Sequence, residues 1–299
     1  MDPLAIHRAD AAWVTARLND PAAKFIPVAG ADNLLVADNT PLVLDADAAL
    51  RTQAQCTVLL GEYAGHIYFA LGLPQNVPLP PTVIRSNLRP QFAMLDDGLL
   101  ALLGYARCMV YWHNRNRYCG QCGAPTVSAR AGHELHCTRC DNIIYPRVNP
   151  AIITLVTHRD RCLLGHHTGW PAQHYSTIAG FVEPGEDPEA TLHREVWEET
   201  NIRVRNLKYL RSQPWPYPAS LMLGYRAEAE NFDIHCNDGE LEDARWFSRP
   251  EIVRGLKDGT LALSTPQSIS HSLIREWFDE ARGVSLDVVL SDLKSRRTA

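Results

Sequence analysis

Apolar and polar positions divide this 299-residue chain into differently patterned stretches. Over the first third, short apolar runs at 33–36, 41–44, 57–60 and 67–71 are separated by Gly, Asp and Pro. That pattern predicts strands joined by turns. A proline-rich connection at 74–81 follows. From 96 to 112 the apolar residues fall at helical spacing (Leu99, Leu102, Leu103, Ala106), which predicts a buried helix. A second mixed region opens after 149 with an apolar strand at 151–157. Between 180 and 202 the spacing turns helical again: Asp187 can cap, Pro188 suits a first turn, and Leu192 and Val196 form an apolar stripe, with the helix running to Thr200. The segment 212–220, SQPWPYPAS, carries prolines at 214, 216 and 218. Proline cannot donate a backbone hydrogen bond and fixes φ, so a stiff extended loop is predicted here, not a central strand. No repeat and no low-complexity tract is evident.

The length corresponds to about two domains. Apolar residues make up 45% and charged residues 21%, which excludes a wholly disordered or collagen-like chain. The longest apolar run, 99–112, is interrupted by Arg107, and none approaches the ~18 residues of a membrane span. The N-terminus lacks the apolar core of a signal peptide, and the terminal Arg-Arg-Thr-Ala is no peroxisomal address. A cytoplasmic location is therefore expected, where clustered cysteines favour metal over disulfides. The formal net charge of −5 provides no global basic field.

Four of the eight cysteines fall into two CxxC pairs, Cys119/Cys122 and Cys137/Cys140. Each pair can form a tight knuckle with both sulfurs facing one point, and Gly120 and Gly123 supply the permissive backbone. Two knuckles give a tetrahedron of thiolates, the geometry of a closed structural Zn²⁺ site. A redox or disulfide pair is the plain alternative. His133 and His136 lie inside the loop; with four thiolates available they are expected to be exposed hairpin side chains, a ligand role being the alternative. From 111 to 147, five arginines (Arg115, Arg117, Arg130, Arg139, Arg147) face Glu134 and Asp141, a mild basic bias that reads as a solvated face.

Glu195, Glu198 and Glu199 lie at i, i+3 and i+4, so the helix turns all three carboxylates to one side. Such like-charge neighbours repel. A helix made only for solubility interleaves lysines; here Arg194 is the one Lys or Arg between 180 and 201. A hard divalent cation such as Mg²⁺ or Mn²⁺ relieves the repulsion. Glu186, in the preceding Gly-rich loop, can fold back onto the same cluster. A solvated acidic helix is the alternative.

The segment from 180 resembles the Nudix box, G-x5-E-x7-R-E-U-x-E-E-x-G-U with U a bulky aliphatic. Gly180, Glu186, Arg194, Glu195, Val196, Glu198, Glu199 and Ile202 match. Asn201 replaces the glycine that ends the helix, and Asn is the next-best residue for a left-handed position. The resemblance implies an α/β/α sandwich around a mixed sheet and hydrolysis of a nucleoside diphosphate linked to another moiety. It further implies Glu195 and Glu199 as metal ligands, Glu198 as a third ligand or the general base, and the Ala179 carbonyl in the metal shell. Arg194 is expected to hold a glutamate by a bidentate pair.

Ten residues beyond the box, SQPWPYPAS resembles the SQPWPFPxS array of the NADH pyrophosphatase branch, also described as NAD-cap RNA hydrolases, with Tyr217 in place of the phenylalanine. That branch carries a four-cysteine ribbon at the same place. The resemblance implies substrate contacts from Gln213, Pro214, Trp215, Pro216, Tyr217, Pro218, Ala219 and Ser220. It adds Tyr145 and Phe181 as a ring sandwich, Arg89 and Ser270 as further contacts, and Glu240 as an extra metal carboxylate. A homodimer is implied as well. The expected architecture is α+β: a mixed N-terminal domain over 1–114, degenerate and Nudix-like by resemblance; a zinc ribbon over 115–147; a Nudix domain over 148–285; and a tail over 286–299. The expected reaction is Mg²⁺- or Mn²⁺-dependent cleavage of NADH or NAD to AMP and nicotinamide mononucleotide, on the free dinucleotide or at the NAD-bearing 5′ end of RNA. ADP-ribose or another nucleotide derivative is one alternative substrate, and a non-catalytic nucleic-acid-binding regulator is the alternative of another class. Seven acids and one arginine give 180–201 a charge of −6, leaving +1 on the rest, so the acidic balance belongs to the proposed metal site and does not decide against RNA.

Overall fold

The computed structural model describes residues 1–36, 38–89, 95–237, 239–281, 283 and 285–298, with backbone alone at 294 and 296–298. It divides into two units, Met1–Val148 with Trp215–Ala219, and Asn149–Pro214 with Ser220–Ala299. In the first unit, α1 (Ala11–Leu18) precedes strands β1 (Lys24–Ala29), β2 (Asp32–Val36), β3 (Cys56–Tyr63), β4 (His66–Leu73) and β5 (Val83–Ser86). They form one mixed sheet in the order β3-β4-β1-β2-β5, with β1 and β4 parallel and the other pairs antiparallel. The predicted strand at 41–44 makes only isolated bridges, Leu35 to Pro41 and Phe25 to Leu44. Pro41 has no N–H to extend a ladder.

Helix α2 (Asp97–Arg115) covers this sheet. Asp96 accepts from Leu99 N at 2.9 Å and caps it. Leu102, Leu103, Ala106, Met109 and Val110 pack on Ile26, Val28, Val58, Leu60 and Ala70. At ~1.5–3 kcal/mol per large buried side chain, this face outweighs any propensity term in fixing the helix. Strands β6 (Thr126–Ala129), β7 (Glu134–Cys137) and β8 (Ile143–Ile144) form a three-stranded ribbon whose Leu135 and Ile144 join the same core. Gly132, at φ +92°, lets the ribbon turn approach β3: a Cβ there would lie 2.8 Å from the Thr57 carbonyl oxygen.

The second unit holds β9 (Asn149–His158), β10 (Arg161–His167), β11 (His174–Tyr175), β12 (Ile178–Phe181), α3 (Pro188–Thr200), β13 (Val204–Trp215), β14 (Ser220–Ala229), β15 (Leu241–Ser248), α4 (Arg249–Asp258), β16 (Ala262–Leu263), α5 (Ile269–Asp279) and α6 (Leu286–Thr298). Its main sheet runs β13-β14-β9-β10-β15, with β12 also paired to β9. β14 lies parallel to β9, and β10 and β12 antiparallel to it. Alternation along β9 separates two cores: Ile152 and Val156 meet Leu192, Val196 and Ile202 on the α3 side, while Ile153 and Leu155 meet Ile252, Leu273, Ile274 and Trp277 on the α4/α5 side. This is the expected α/β/α sandwich. One part differs from expectation. Residues 212–215 are not loop but the end of β13, at the sheet edge, where Pro214 needs no donor. The expected tail is helical from 286, with Leu286 and Val289 in the core and Leu286 N donating to Asp279.

Candidate metal and diphosphate site

Asp187 accepts from Ala190 N at 2.7 Å and Pro188 opens α3, which closes at Asn201 in the left-handed conformation at φ 60°. Asn thus serves where the family pattern has glycine. Leu192 and Val196 are fully buried. Their anchoring, about 3–6 kcal/mol, exceeds the few tenths that each like-charge neighbour costs, so the acidic face is held in place. β12 runs beside this face. Gly180 is needed because a Cβ there would lie 1.9 Å from Glu195 Cδ.

Arg194 organises the carboxylates. Its Nε and Nη2 bind Glu186 as a bidentate pair at 2.7 and 2.8 Å, and Nη2 also donates to the Phe181 carbonyl at 3.0 Å. Nη1 lies 2.9 Å from Glu195 and 3.0 Å from Glu198. Glu186 further accepts from Thr191 Oγ1 and Glu183 N. Arg194 holds the Glu186 carboxyl down to about 2. Glu186 is thus brought to the same guanidinium as Glu195 and Glu198. Burial pushes the Glu195 carboxyl up; Arg194 opposes this, while Glu198 and Glu240 add repulsion. Glu199 is buried, 4% exposed, on the same helix, and Glu240 is exposed on the turn before β15. Ala179 is an exposed residue of β12. A half-buried carboxylate crowded by other carboxylates offers oxygen ligands that fit a hard divalent cation. Among the described residues, only the four cysteines place their ligand atoms all within 4.8 Å of one another.

In that cysteine group, Cys119 and Cys140 Sγ are 3.8 Å apart, Cys122 and Cys137 3.4 Å, and Cys140 and Cys122 3.6 Å. A tetrahedral ZnS₄ centre with ~2.3 Å bonds requires sulfurs about 3.8 Å apart, so the thiols are already near their places. Asn142 Nδ2 and backbone N–H groups pull the Cys119 thiol down to about 6. His133 corrects the sequence expectation: it is not an exposed hairpin side chain but buried, lying 2.8 Å from the Leu59 carbonyl. A carbonyl only accepts, so Nε2 carries the proton, and burial lowers the imidazole pKa to about 4. His113 makes the same contact to the Gly132 carbonyl at 2.8 Å. His136 is partly exposed beside Glu134.

The remaining predicted contacts divide. Within the first unit, Pro216 packs on Gly104 and its carbonyl accepts from Arg107 Nε at 3.0 Å. Tyr217 carries the Arg89 and Arg107 guanidiniums at 4.7 and 5.3 Å from its ring and lies edge-on to Trp215 at 5.1 Å. The Pro218 carbonyl faces Cys108 Sγ, and Pro218 and Ala219 complete the turn. Tyr145 is 59% exposed there, and in the second unit Phe181 is 56% exposed, so neither ring is core packing. In that second unit Gln213 is committed at both ends: Nε2 donates to the Gln267 carbonyl and Oε1 accepts from Ile269 N. Pro214 is exposed, Ser220 is buried, and Ser270 is buried in a hydroxyl cluster with Ser176 and Thr177. Sequence reasoning passed over Arg107, whose signal was its being the lone charge in an apolar run.

A six-stranded mixed sheet between helices, with the glutamate helix set against Gly180, defines a Nudix domain. The NUDIX domain family matches residues 146–266, the NADH pyrophosphatase zinc ribbon domain 114–145, and the NADH pyrophosphatase-like rudimentary NUDIX domain 23–112. A protein named NAD-capped RNA hydrolase NudC from Pseudomonas syringae pv. tomato is 33% identical over 273 residues, 91% of this chain and 95% of its own length. One of the same name from Pseudomonas putida is 36% identical over 240 residues, 80% and 87% of the two chains. Among solved structures, a NUDIX hydrolase from Nitrosomonas europaea is 21% identical with a TM-score of 0.46, covering 55% of this chain and 91% of that one. The chain belongs to the NudC branch of the Nudix hydrolase family. No helix among the described residues is long and apolar enough to cross a membrane.

Proposed function

We propose that this chain cleaves the diphosphate of NADH and NAD to AMP and nicotinamide mononucleotide, and makes the same cut at the NAD-bearing 5′ end of RNA. The observation that carries the reading is Glu195, half-buried against Gly180, held by Arg194 and crowded by Glu198 and Glu240. The relatives named NAD-capped RNA hydrolase support the choice of substrate. Water forms one new P–O bond as the bridging P–O bond breaks, so both products leave as monophosphates; on RNA the products are nicotinamide mononucleotide and a 5′-monophosphate end. Mg²⁺ or Mn²⁺, when bound, supplies neutralisation of phosphoryl charge and a lowered pKa for the attacking water. Glu195, Glu199 and Glu240, with the Ala179 carbonyl, would hold it. Glu198 serves as a further ligand or as the base. Arg194 is a positioning residue: its donors are spent on protein oxygens. In the first unit, Tyr145, Arg89 and the segment 215–219, and in the second unit, Phe181, Gln213, Pro214, Ser220 and Ser270, are proposed substrate-site residues; the exposed Phe181 and Tyr145 rings each offer a face for a base, and zinc in the ribbon is structural. The working form is a cytoplasmic homodimer.

The test is Glu199→Gln protein with NADH and Mg²⁺. AMP release is expected to fall by about a hundredfold or more with the far-UV circular dichroism unchanged. Release at the wild-type level refutes the assigned site. Paired assays on NADH and NAD-RNA rank the two substrates.

A further inference from the structure

The segment between β10 and β11 carries His167, Trp170 and His174, which the proposed chemistry does not use. It consists of two consecutive turns: Trp170 N donates to the His167 carbonyl at 3.1 Å, and His174 N to the Pro171 carbonyl at 2.7 Å. Gly169, at φ +81°, allows the first, and Pro171 stiffens the second. The loop is anchored on two sides. Thr168 N and Oγ1 donate to the Glu240 and Gly239 carbonyls at 3.0 and 3.1 Å, and Ala262 N donates to the Gln173 carbonyl at 2.6 Å. Beneath it, buried His166 reaches the His174 carbonyl and Glu242.

Trp170 is 40% exposed and belongs to none of the hydrophobic clusters of the second unit. Its ring neighbours are imidazoles: His174 stands edge-on at 4.7 Å and 76°, and His167 lies at 5.5 Å and 32°. An indole with one imidazole edge-on and a second tilted beside it, on a loop fixed at both ends, keeps its orientation while leaving part of its surface exposed. The same backbone bonds tie it to the turn bearing Glu240, whose charge acts on Glu195.

We infer that Trp170, braced by His167 and His174, is a stacking platform for a planar heteroaromatic ring of the substrate, on the Glu240 side of the diphosphate. This rests on the proposed dinucleotide reading and adds a second ring site to the one implied for Phe181. Base–aromatic stacking tolerates different bases because every base has a π face. The ring is therefore either the adenine or the nicotinamide, and the assay separates them.

Trp170→Ala is expected to raise the KM for NADH about tenfold, with the loss falling on KM more than kcat, and Trp170→Phe to recover most of it. With ADP-ribose, which lacks nicotinamide, an equal loss places adenine on Trp170 and no loss places nicotinamide there; either supports the platform. A KM for NADH within about twofold of wild type in a folded Trp170→Ala protein overturns it. Binding is read apart from turnover by calorimetric titration of AMP and ribose 5-phosphate into Phe181→Ala protein. It should prefer AMP by about tenfold, and adding Trp170→Ala should abolish the preference. Preference surviving in the double variant, or absent with Trp170 in place, counts against the platform. If wild type fails to hydrolyse NADH while the Trp170-dependent preference for AMP holds, the proposed function falls and the platform stands.

Discussion

Gly180→Ala is the smallest change that interrogates the glutamate site. The added methyl would start 1.9 Å from Glu195 Cδ and 2.1 and 2.3 Å from its oxygens. Reaching ordinary contact at roughly 3.4 Å drives the carboxyl back by about 1.5 Å. The obstacle is the end of a flexible side chain, so the fold can absorb the change. The ion pair from Arg194 to Glu195 is lost; with both side chains only partly exposed, it is worth about 1 kcal/mol after solvent screening. Against that, replacing glycine at a position without positive φ lowers the entropy of the unfolded chain, worth ~0.4–1 kcal/mol. The two nearly cancel, so Tm should move by only a few degrees. Catalysis does not share this tolerance: a displacement of ~1 Å costs on the order of a hundredfold, about 2.7 kcal/mol of transition-state stabilisation. AMP formation from NADH at saturating Mg²⁺, with Tm from scanning calorimetry, tests both parts. A kcat within about threefold of wild type would show that the Glu195 position does not govern the chemistry.

Three other outcomes are expected. Cys137→Ser, or exhaustive chelation, should release zinc and lower stability by several kcal/mol; an unchanged Tm and no metal released would reject the closed thiolate site. His133 should contribute to acid sensitivity. Its folded pKa of about 4 lies below the ordinary 6.5, so its contribution is intact above pH 6.5 and is lost as pH falls toward 4, because the unfolded chain takes the proton first. Allowing for screening, the loss is about 2 kcal/mol, and urea titrations should show a shallower pH slope in His133→Gln than in wild type; equal slopes refute the assignment. Gln213→Ala should orphan the Ile269 N–H and the Gln267 carbonyl and cost ~1–3 kcal/mol of stability, with a KM for NADH changed less than about threefold. The reverse pattern would make Gln213 a direct substrate contact.

Local chemistry was the most legible part of the chain. The CxxC spacing announced the thiolate group, and Asp187, Pro188 and Asn201 announced both ends of α3, because knuckles and caps are decided within a few residues. Long-range pairing was harder to read. Pro27 lies in β1, a central strand, in register with Leu71, although proline ordinarily argues against such a place. Residues 212–215 resembled loop because Pro214, with Pro216 and Pro218 just beyond, hides an edge strand. His133 looked like a solvent-facing hairpin residue because its partner, the Leu59 carbonyl, lies 74 residues away in sequence. Glu186 was legible as an acid near the glutamate helix. Its capture by Arg194 depends on how the loop closes, which spacing alone does not specify.

Arg194 has a bearing on how the molecule is assembled. One guanidinium already supplies positive charge to Glu186, Glu195 and Glu198, so the acidic helix has its own internal counter-ion while the chain matures. The four thiols of the ribbon are steadied by N–H dipoles at Cys119 and Cys137. If the ribbon holds zinc and the glutamates a divalent cation, as proposed, the two ions would enter the life of the protein at different stages. On the proposed assignment, scarcity of zinc during synthesis would reduce how many molecules reach maturity, whereas scarcity of the proposed catalytic cation would leave their number intact and idle them reversibly.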